Sequence, residues 1–514
     1  MTAAAKLRRP RIRQSVFGVH VGAALNLIGA IVKYLSLTFL VPAAVALGYS
    51  EPVWPFLVPA AAAAAGGSAL ERLTHGKEAV GAREGFLVVA LAWLVAAFFV
   101  AIPYILAEPQ LRWPVDAYFE AMSGMTTTGS SVLTDIPALD RSVAIWRQFS
   151  QWLGGMGIIV LALAVLPRLR VGGRQLLEVE LPGPEAERLT TRIRDTARRL
   201  WLLYVGLTGL LIALLSVFAW TDVDPEMSAF DAVAHAFTTL PTGGFSTRAR
   251  GVEEFGAASQ WAIVVFMVLA GANFALMYRA FLQRRVGALL RDEELRVYAA
   301  LLALGSLVLV VELVGQGLLS GEAAVRHAVF QTVSIMTTTG YASADFAAWV
   351  AAAPLAVMVL VALMFPGGSA GSTSGSIKVV RHLIIGRILR RDLDQTVHPE
   401  LVLPIRLKGA AVEERTLRAM ISFVLLYVGI FAAGAIALLL DSTRAGVELS
   451  PFEAVAAAAT TLGNVGPALG FAGPMGSFEP FSDVSKLLMI GLMWLGRLEL
   501  IPIVVLFTRS YWRA

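Results

Sequence analysis

The sequence contains no cysteine. That removes disulfide frameworks, thiolate metal sites and cysteine nucleophiles together. Charge is scarce as well: Asp, Glu, Lys and Arg make up 15% of the 514 residues, against about 25% in an average soluble protein. The six histidines, His20, His75, His235, His327, His382 and His398, are scattered, and nothing near them completes a metal site. These shortages disfavour a soluble enzyme, a disordered chain and a nucleic-acid binder. What the chain has instead is hydrophobic residues, 57% of the total, with a mean hydropathy of +0.70. They fall in blocks, many of them about 20 residues long, the length that crosses the hydrocarbon layer as a helix.

Ten such blocks are expected to cross the membrane, near 18–47, 54–71, 85–106, 148–167, 199–220, 260–281, 298–319, 351–388, 416–440 and 485–508. The first follows KLRRPRIR and lacks a clear cleavage site, so it reads as a retained span. Most of the 42 Lys and Arg then fall on one side, clustered at 168–199, 279–296 and 378–418. The other side carries Glu51, Glu108, Asp116, Asp135, Asp222, Asp224, Asp345 and Asp483. By the positive-inside rule both termini are cytoplasmic. Two basic residues lie within spans. Lys33 is expected to snorkel or make a structural contact; Arg497, in MWLGRLELIP, sits near the middle of the last span.

Four outer segments are too apolar for ordinary loops. They are FEAMSGMTTTG (119–129), FDAVAHAFTTLPTGG (230–244), FQTVSIMTTTG (330–340) and FEAVAAAATTLG (452–463). In each a Thr pair follows the Phe by the same interval: Thr127–Thr128, Thr238–Thr239, Thr338–Thr339 and Thr460–Thr461. The first and third also share Ser123 and Met125 with Ser334 and Met336. Every copy lies between two spans, so the unit is helix, short helix with a Gly loop, helix, four times over. Two further spans precede the first unit.

Segments this short enter a bilayer and return, and their non-helical backbone must be buried in protein or line a water-filled cavity. Helix C-termini carry a partial negative charge, which favours a cation. Gly loops can aim carbonyl oxygens inward in place of a hydration shell. No carboxylate lies in the Thr-Gly runs, which suits a monovalent alkali ion better than a divalent one. A single Thr-Gly run would read as a helix-ending turn; four at one spacing, on one side of the membrane, read as a pore. The expected architecture is an all-α integral membrane protein, with two N-terminal helices and four helix–pore helix–helix repeats around a pseudo-fourfold pore. The units are placed at 1–84, 85–198, 199–296, 297–415 and 416–514.

The run MFPGGSAGSTSGSIK (364–378) breaks the eighth block. Pro366 removes a backbone donor, and Gly367, Gly368, Gly371 and Gly375 weaken helix continuity. A phosphate-binding loop would need Lys before Ser or Thr, whereas Lys378 follows Ile377. A serine nucleophile at Ser369 would need a nearby His base. A plain helix kink remains the simplest alternative.

The four runs TTTGSSVL, TTLPTGGFST, TTTGYASADF and TTLGNVGPALG, together with GGSAGSTSGSIK, resemble the Trk/Ktr/HKT superfamily of cation transporters over nearly the whole chain. The two additional N-terminal spans match its bacterial TrkH/TrkG branch, the potassium uptake subunits. The resemblance implies filter glycines at Gly129, Gly243, Gly340 and Gly463, with Gly244 as the alternative in the second repeat, and Gly at all four places implies potassium. The potassium-binding set is then Thr127, Thr128, Gly129, Thr242, Gly243, Thr338, Thr339, Gly340, Thr461, Leu462, Gly463 and Asn464. It further implies an intramembrane gate from Gly367, Gly368, Ser369, Ala370, Gly371, Ser372, Thr373, Ser374, Gly375 and Lys378. The family has an Arg at the place of Arg497, beside that loop; its charge is expected to raise the barrier to cations, against the alternative of a structural pair with Glu499 or loop carbonyls. No cofactor is expected; potassium is the substrate. The expected partners are a second copy of the chain, a cytoplasmic TrkA-like nucleotide-binding ring and the lipid of a bacterial inner membrane, with no nucleic acid. The competing functions are a sodium-permeable or sodium-coupled relative, an intramembrane enzyme using the Gly/Ser loop, and an ATP-driven pump subunit.

Overall fold

The computed structural model describes residues 19–74, 81–164, 189–400 and 403–513. The KLRRPRIR segment, His75 and the 168–188 part of the basic cluster lie outside the described residues. Among the described residues almost every element is a helix. The exception is a hairpin of two-residue strands, β1 (Arg406–Leu407) and β2 (Ala410–Ala411). Its turn residues Lys408 and Gly409 both have positive φ, as a tight two-residue hairpin demands.

The first segment runs from α1 (Val21–Leu35) through a short 3-10 turn into α2 (Leu40–Tyr49). α3 (Trp54–Leu73) returns against it. Its Ala- and Gly-rich sequence lowers its hydropathy but lets the backbones touch. A methyl group added to Gly67 would lie 2.6 Å from both Gly29 O and Lys33 N, the close approach that small residues permit between membrane helices. Lys33 pairs with Glu71 of α3, so the expected structural contact is the one observed.

Four units follow. The first comprises α4 (Ala82–Ala107), α5 (Pro114–Met125) and α6 (Arg141–Ala164). The second has α7 (Leu189–Trp220), α8 (Ala229–Thr239) and α9 (Ala257–Ala270), the last continuing into α10 (Phe274–Met277). The third has α11 (Glu293–Gly315), α12 (Gly321–Met336) and α13 (Pro354–Leu363), with α14 (Val379–Val397) beyond the Gly/Ser loop. The fourth has α15 (Glu414–Ala445), α16 (Pro451–Gly463) and α17 (Asp483–Arg497), which leads to α18 (Ile501–Val504).

Among the described residues five helical stretches are long and apolar enough to cross a membrane unaided: Val21–Tyr49, Arg83–Ala107, Ala197–Trp220, Glu293–Gly315 and Glu414–Ala445. Two expected spans are sharply bent. The sixth turns by 101° between Ala270 and Phe274, and the last by 113° between Arg497 and Ile501. Gly271 and Asn273 stand at the first bend; Glu499 and Leu500, both at positive φ, stand at the second. The expected break in the eighth block is present, with α13 stopping at Leu363 and α14 starting at Val379.

The short helices start on strong signals. α5 and α16 carry Pro at their first position, where a missing donor costs nothing. Ser228 and Asp231 form a capping box on α8, as do Ser450 and Glu453 on α16. Replacing Gly67 by Val should push α1 from α3; at about 1–3 kcal/mol of overpacking, the purified protein should melt several degrees lower.

Candidate ion-conducting site

The four short helices end alike. One to three residues past each comes a left-handed residue, followed two positions later by a positive-φ glycine. The left-handed residues are Thr127 (φ 52°), Thr242 (55°), Thr338 (58°) and Asn464 (55°). The glycines are Gly129 (87°), Gly244 (78°), Gly340 (83°) and Gly466 (118°). Between them one amide turns back to the helix: Thr128 N donates to Ser123 O at 2.8 Å, Gly243 N to Thr238 O at 2.8 Å, Thr339 N to Ser334 O at 2.8 Å and Val465 N to Thr460 O at 2.9 Å. This is a helix-ending cap whose left-handed position usually holds Gly. Three β-branched threonines there cost on the order of 1–2 kcal/mol each, strain of the kind concentrated at functional sites.

The four segments touch in a closed cycle. A methyl group added to Gly129 would lie 2.2 Å from Gly243 O, one on Gly244 2.0 Å from Thr339 O, one on Gly340 2.0 Å from Val465 O, and one on Gly466 2.8 Å from Thr128 O. Each segment thus abuts the next, and the fourth returns to the first. Polar side chains brace the joints. Ser130 Oγ donates to Gly466 O at 2.7 Å, Asn464 Nδ2 to Thr128 Oγ1 at 3.0 Å, and Gln151 Nε2 to Gly243 O at 2.7 Å. The Tyr341 hydroxyl donates to His235 O at 3.1 Å and meets Thr238 Oγ1.

This geometry sorts the residues expected from sequence. Thr127, Thr128, Gly129, Thr242, Gly243, Thr338, Thr339, Gly340 and Asn464 all belong to the ring segments. Thr461, Leu462 and Gly463 do not; they form the last turn of α16, and the residue matching Gly129 is Gly466. In the second repeat the match is Gly244, with Gly243 matching Thr128. The reason is one helical turn. Measured to the left-handed residue, the second and fourth repeats carry four more residues after the Phe than the first and third, close to the 3.6 of a helical turn. Phe119 and Phe330 are fully buried, whereas Phe452 is 37% exposed and the buried positions are taken by Ala234 and Ala456.

Beneath the ring lies the 364–378 loop. Gly375 N donates to Thr338 Oγ1 at 2.7 Å and Thr373 Oγ1 to Leu240 O at 2.9 Å; a methyl on Gly375 would meet Gly463 O at 2.3 Å. The loop therefore docks on the ends of three of the four short helices. Ser369 N donates to Gly271 O at 2.8 Å, and Asn273 Nδ2 to Ala370 O at 2.7 Å, which ties it to the bend after α9. Glu294 accepts from Ala370 N at 2.6 Å. Lys378 Nζ donates to Ser374 O. From the last span Arg497, 3% exposed, donates through Nη1 to Thr373 O at 2.9 Å. Its Nε and Nη2, and the hydroxyls of Ser369, Ser372 and Ser374, are buried without a hydrogen-bond partner among the described residues. Glu499 is not the partner of Arg497; it pairs with Arg381 at 2.6 Å. Among the described residues no histidine base holds Ser369 Oγ.

Sequence reasoning missed Val465 and Gly466, the braces Ser130, Gln151 and Tyr341, and the loop anchors Asn273 and Glu294. Gln151 and Asn273 were visible as polar residues within apolar blocks, which usually face an interior. His235 is buried with Nε2 3.0 Å from Ser246 Oγ, and His327 Nδ1 lies 3.0 Å from Ser343 Oγ.

Four re-entrant helices whose C-terminal backbone closes a ring above an intramembrane loop define a pore-loop cation transporter. A sequence model of the TrkH family, described as cation transport protein, matches residues 57–513. The chain belongs to that family of membrane transporters and is not an enzyme. It is 36% identical over 505 residues to the Trk system potassium uptake protein TrkH of Escherichia coli K12, covering 96% of this chain and 100% of that one. Identity to the TrkH protein of Halomonas elongata is 35% over 494 residues, 95% of this chain and 98% of the relative. The crystal structure of the potassium transporter TrkH from Vibrio parahaemolyticus superposes with a TM-score of 0.85 at 31% identity, covering 96% of this chain and 100% of that one.

The corrected register has a direct test. Gly466→Ala adds a methyl at φ 118° against Thr128 O, whereas Gly463→Ala meets nothing nearer than 3.2 Å and keeps a helical backbone. Flux assays should find transport reduced tenfold or more by the first and changed less than threefold by the second.

Proposed function

We propose that this chain is the potassium-translocating subunit of a Trk-type uptake system in the bacterial inner membrane, with both termini in the cytoplasm. The observation that carries the reading is the closed ring of four backbone segments centred on Gly129, Gly244, Gly340 and Gly466. An ion arriving from outside meets the C-terminal ends of four helices, whose partial negative charge favours a cation. The segments Thr127–Gly129, Thr242–Gly244, Thr338–Gly340 and Asn464–Gly466 supply carbonyl oxygens in exchange for water. Their sequences contain no carboxylate, which suits potassium better than a divalent ion. The relatives' own designation as potassium uptake proteins supports the same ion. An inside-negative potential contributes about 2.3 kcal/mol per charge per 100 mV.

Below the ring the path is obstructed by the Gly/Ser loop, which acts as the gate. Opening requires the bonds from Thr373 to Leu240 O and from Gly375 to Thr338 Oγ1 to break together. Arg497 holds the loop through Thr373 O and raises the barrier to a passing cation. The relatives are named as potassium uptake proteins of a Trk system, and the resemblance to that family implies a working unit that is a homodimer on a TrkA-like cytoplasmic nucleotide-binding ring that controls the loop.

The test is growth of a potassium-transport-deficient bacterium expressing this chain with its partner. Growth should be restored at low potassium; a correctly inserted protein that restores none would overturn the reading. Arg497→Ala removes both the loop bond and the barrier charge, so potassium flux into vesicles should rise severalfold, whereas an unchanged flux in a folded variant would remove the barrier role.

A further inference from the structure

Behind the first ring segment sits an ion pair that the conduction path does not use. Glu120 of α5 and Arg147 of α6 are both fully buried, with Nη2 2.7 Å from Oε1 and Nε donating to the same oxygen at 2.8 Å. The carboxylate also accepts from Val132 N at 3.1 Å and from Ser131 Oγ at 3.0 and 3.1 Å. Those two residues are the strand leaving Gly129. The guanidinium reaches the next repeat: it lies 4.1 Å over the Phe245 ring, and Nη1 donates to Ser246 O at 3.5 Å. Phe245 follows Gly244 directly. One ion pair therefore clamps the strands that leave two adjacent ring segments.

The corrected register shows what occupies the same place elsewhere. The counterparts of Glu120 are His235, Gln331 and Ala457. His235 Nε2 lies 3.0 Å from Ser246 Oγ, and Ser246 is the counterpart of Ser131. Gln331 Nε2 donates to Ala344 O at 3.0 Å. Three of the four repeats thus fasten the outgoing strand from one position, each with a different group. Only the first uses a charge, and the fourth has a methyl group that cannot do so.

We propose that Glu120 and Arg147 are positioning residues for ion selection: they set the spacing of the first and second ring segments and thereby the discrimination of potassium from sodium. This rests on the reading of the ring as the filter. Neither side chain reaches the ion. A ring of carbonyl oxygens favours the larger ion only while its strands resist collapsing onto the smaller one, and a multidentate carboxylate behind the strand supplies that resistance. The strength of charge-assisted hydrogen bonds makes this the stiffest of the three fastenings, and the absence of one in the fourth repeat leaves that quarter most dependent on Ser130 and Asn464.

The experiment measures potassium and sodium flux for the full chain in lipid vesicles. Glu120→Gln leaves a buried guanidinium unpaired and can fail to insert, so the Glu120→Gln, Arg147→Gln double variant, with no buried charge, is measured beside it. Either should conduct with a potassium-to-sodium ratio lowered fivefold or more, and Glu120→Asp should recover part of the loss. A control that removes a pair outside the repeats, Lys33→Met with Glu71→Gln, should keep the wild-type ratio; a general loss of stability would lower total flux in both sets without separating them. If neither Glu120 variant inserts, Ser131→Ala, which removes one hydroxyl that the carboxylate accepts, should still lower the ratio. A wild-type ratio in the inserted double variant, or in Ser131→Ala, overturns the proposal. Gly129→Ala separates the two layers: if it changes the ratio and the Glu120 variants do not, this inference alone fails, and if it too leaves the ratio unaltered the filter reading fails with it.

Discussion

Four backbone segments meet so closely in a closed ring that a side chain at any of the four joining glycines would collide with the next segment, and most of the surrounding structure follows from that constraint. A single methyl group on Gly129, Gly244 or Gly340 would come within about 2 Å of a neighbouring carbonyl oxygen. Glycine is therefore imposed by the neighbour as well as by the positive φ. Reaching that φ three to five residues past a helix end goes with a left-handed Thr or Asn two positions earlier, a conformation that costs energy for the β-branched threonines. Such strain persists only where the surroundings over-determine it. Here they do so with Gln151, Ser130, Asn464 and Tyr341 bonded across the joints, and with buried charges behind the first segment.

The same crowding shapes what lies below. The last turns of the short helices leave no space for inner helices with side chains at the crossing. Gly154 packs where a methyl would lie 1.9 Å from Met125 O, and Gly496 where it would lie 1.8 Å from Leu462 O. These two oxygens occupy matching places in the first and fourth repeats. In the second and fourth repeats the inner helix turns sharply just beneath the ring; in the third it gives way to the Gly/Ser loop. That loop satisfies its backbone groups by bonding to Gly271, Ala270 and Asn273 at the bend and to Arg497 beside the other. Irregular backbone at membrane depth is permitted only inside protein or along a cavity, and here it is held by three repeats at once.

The repeat itself was legible in the sequence, and its register was not. Phe followed by Thr-Thr at one interval finds all four short helices, because the pattern reflects a shared helical face. It misplaces the ends of two of them. Adding four residues to a helix rotates it by little more than a full turn, so the same face stays buried while the end moves on by one turn. Phe230 and Phe452 then stand one turn too far out, and Thr460–Thr461 one turn too far back, with nothing in composition to reveal it. Only the left-handed Asn464 and the contact of Gly466 with Thr128 identify the matching residue. Arg147 and Glu120 were hidden for a different reason. On an outer loop a charged residue reads as solvated, and burial of the pair depends on Phe245, more than a hundred positions from Glu120.

The membrane class, the four units, the broken eighth block and the lone arginine in the last one are consequences of local composition and spacing, and the sequence alone determined them. A bilayer imposes length and apolarity on each crossing segment separately, so each can be read separately. Which glycine faces which carbonyl, which short helix is longer by a turn, and that Glu499 binds Arg381 while Arg497 binds the loop were decided only in three dimensions. Those are relations between segments distant in the chain, and they arise when four helix ends are packed about one axis at van der Waals contact.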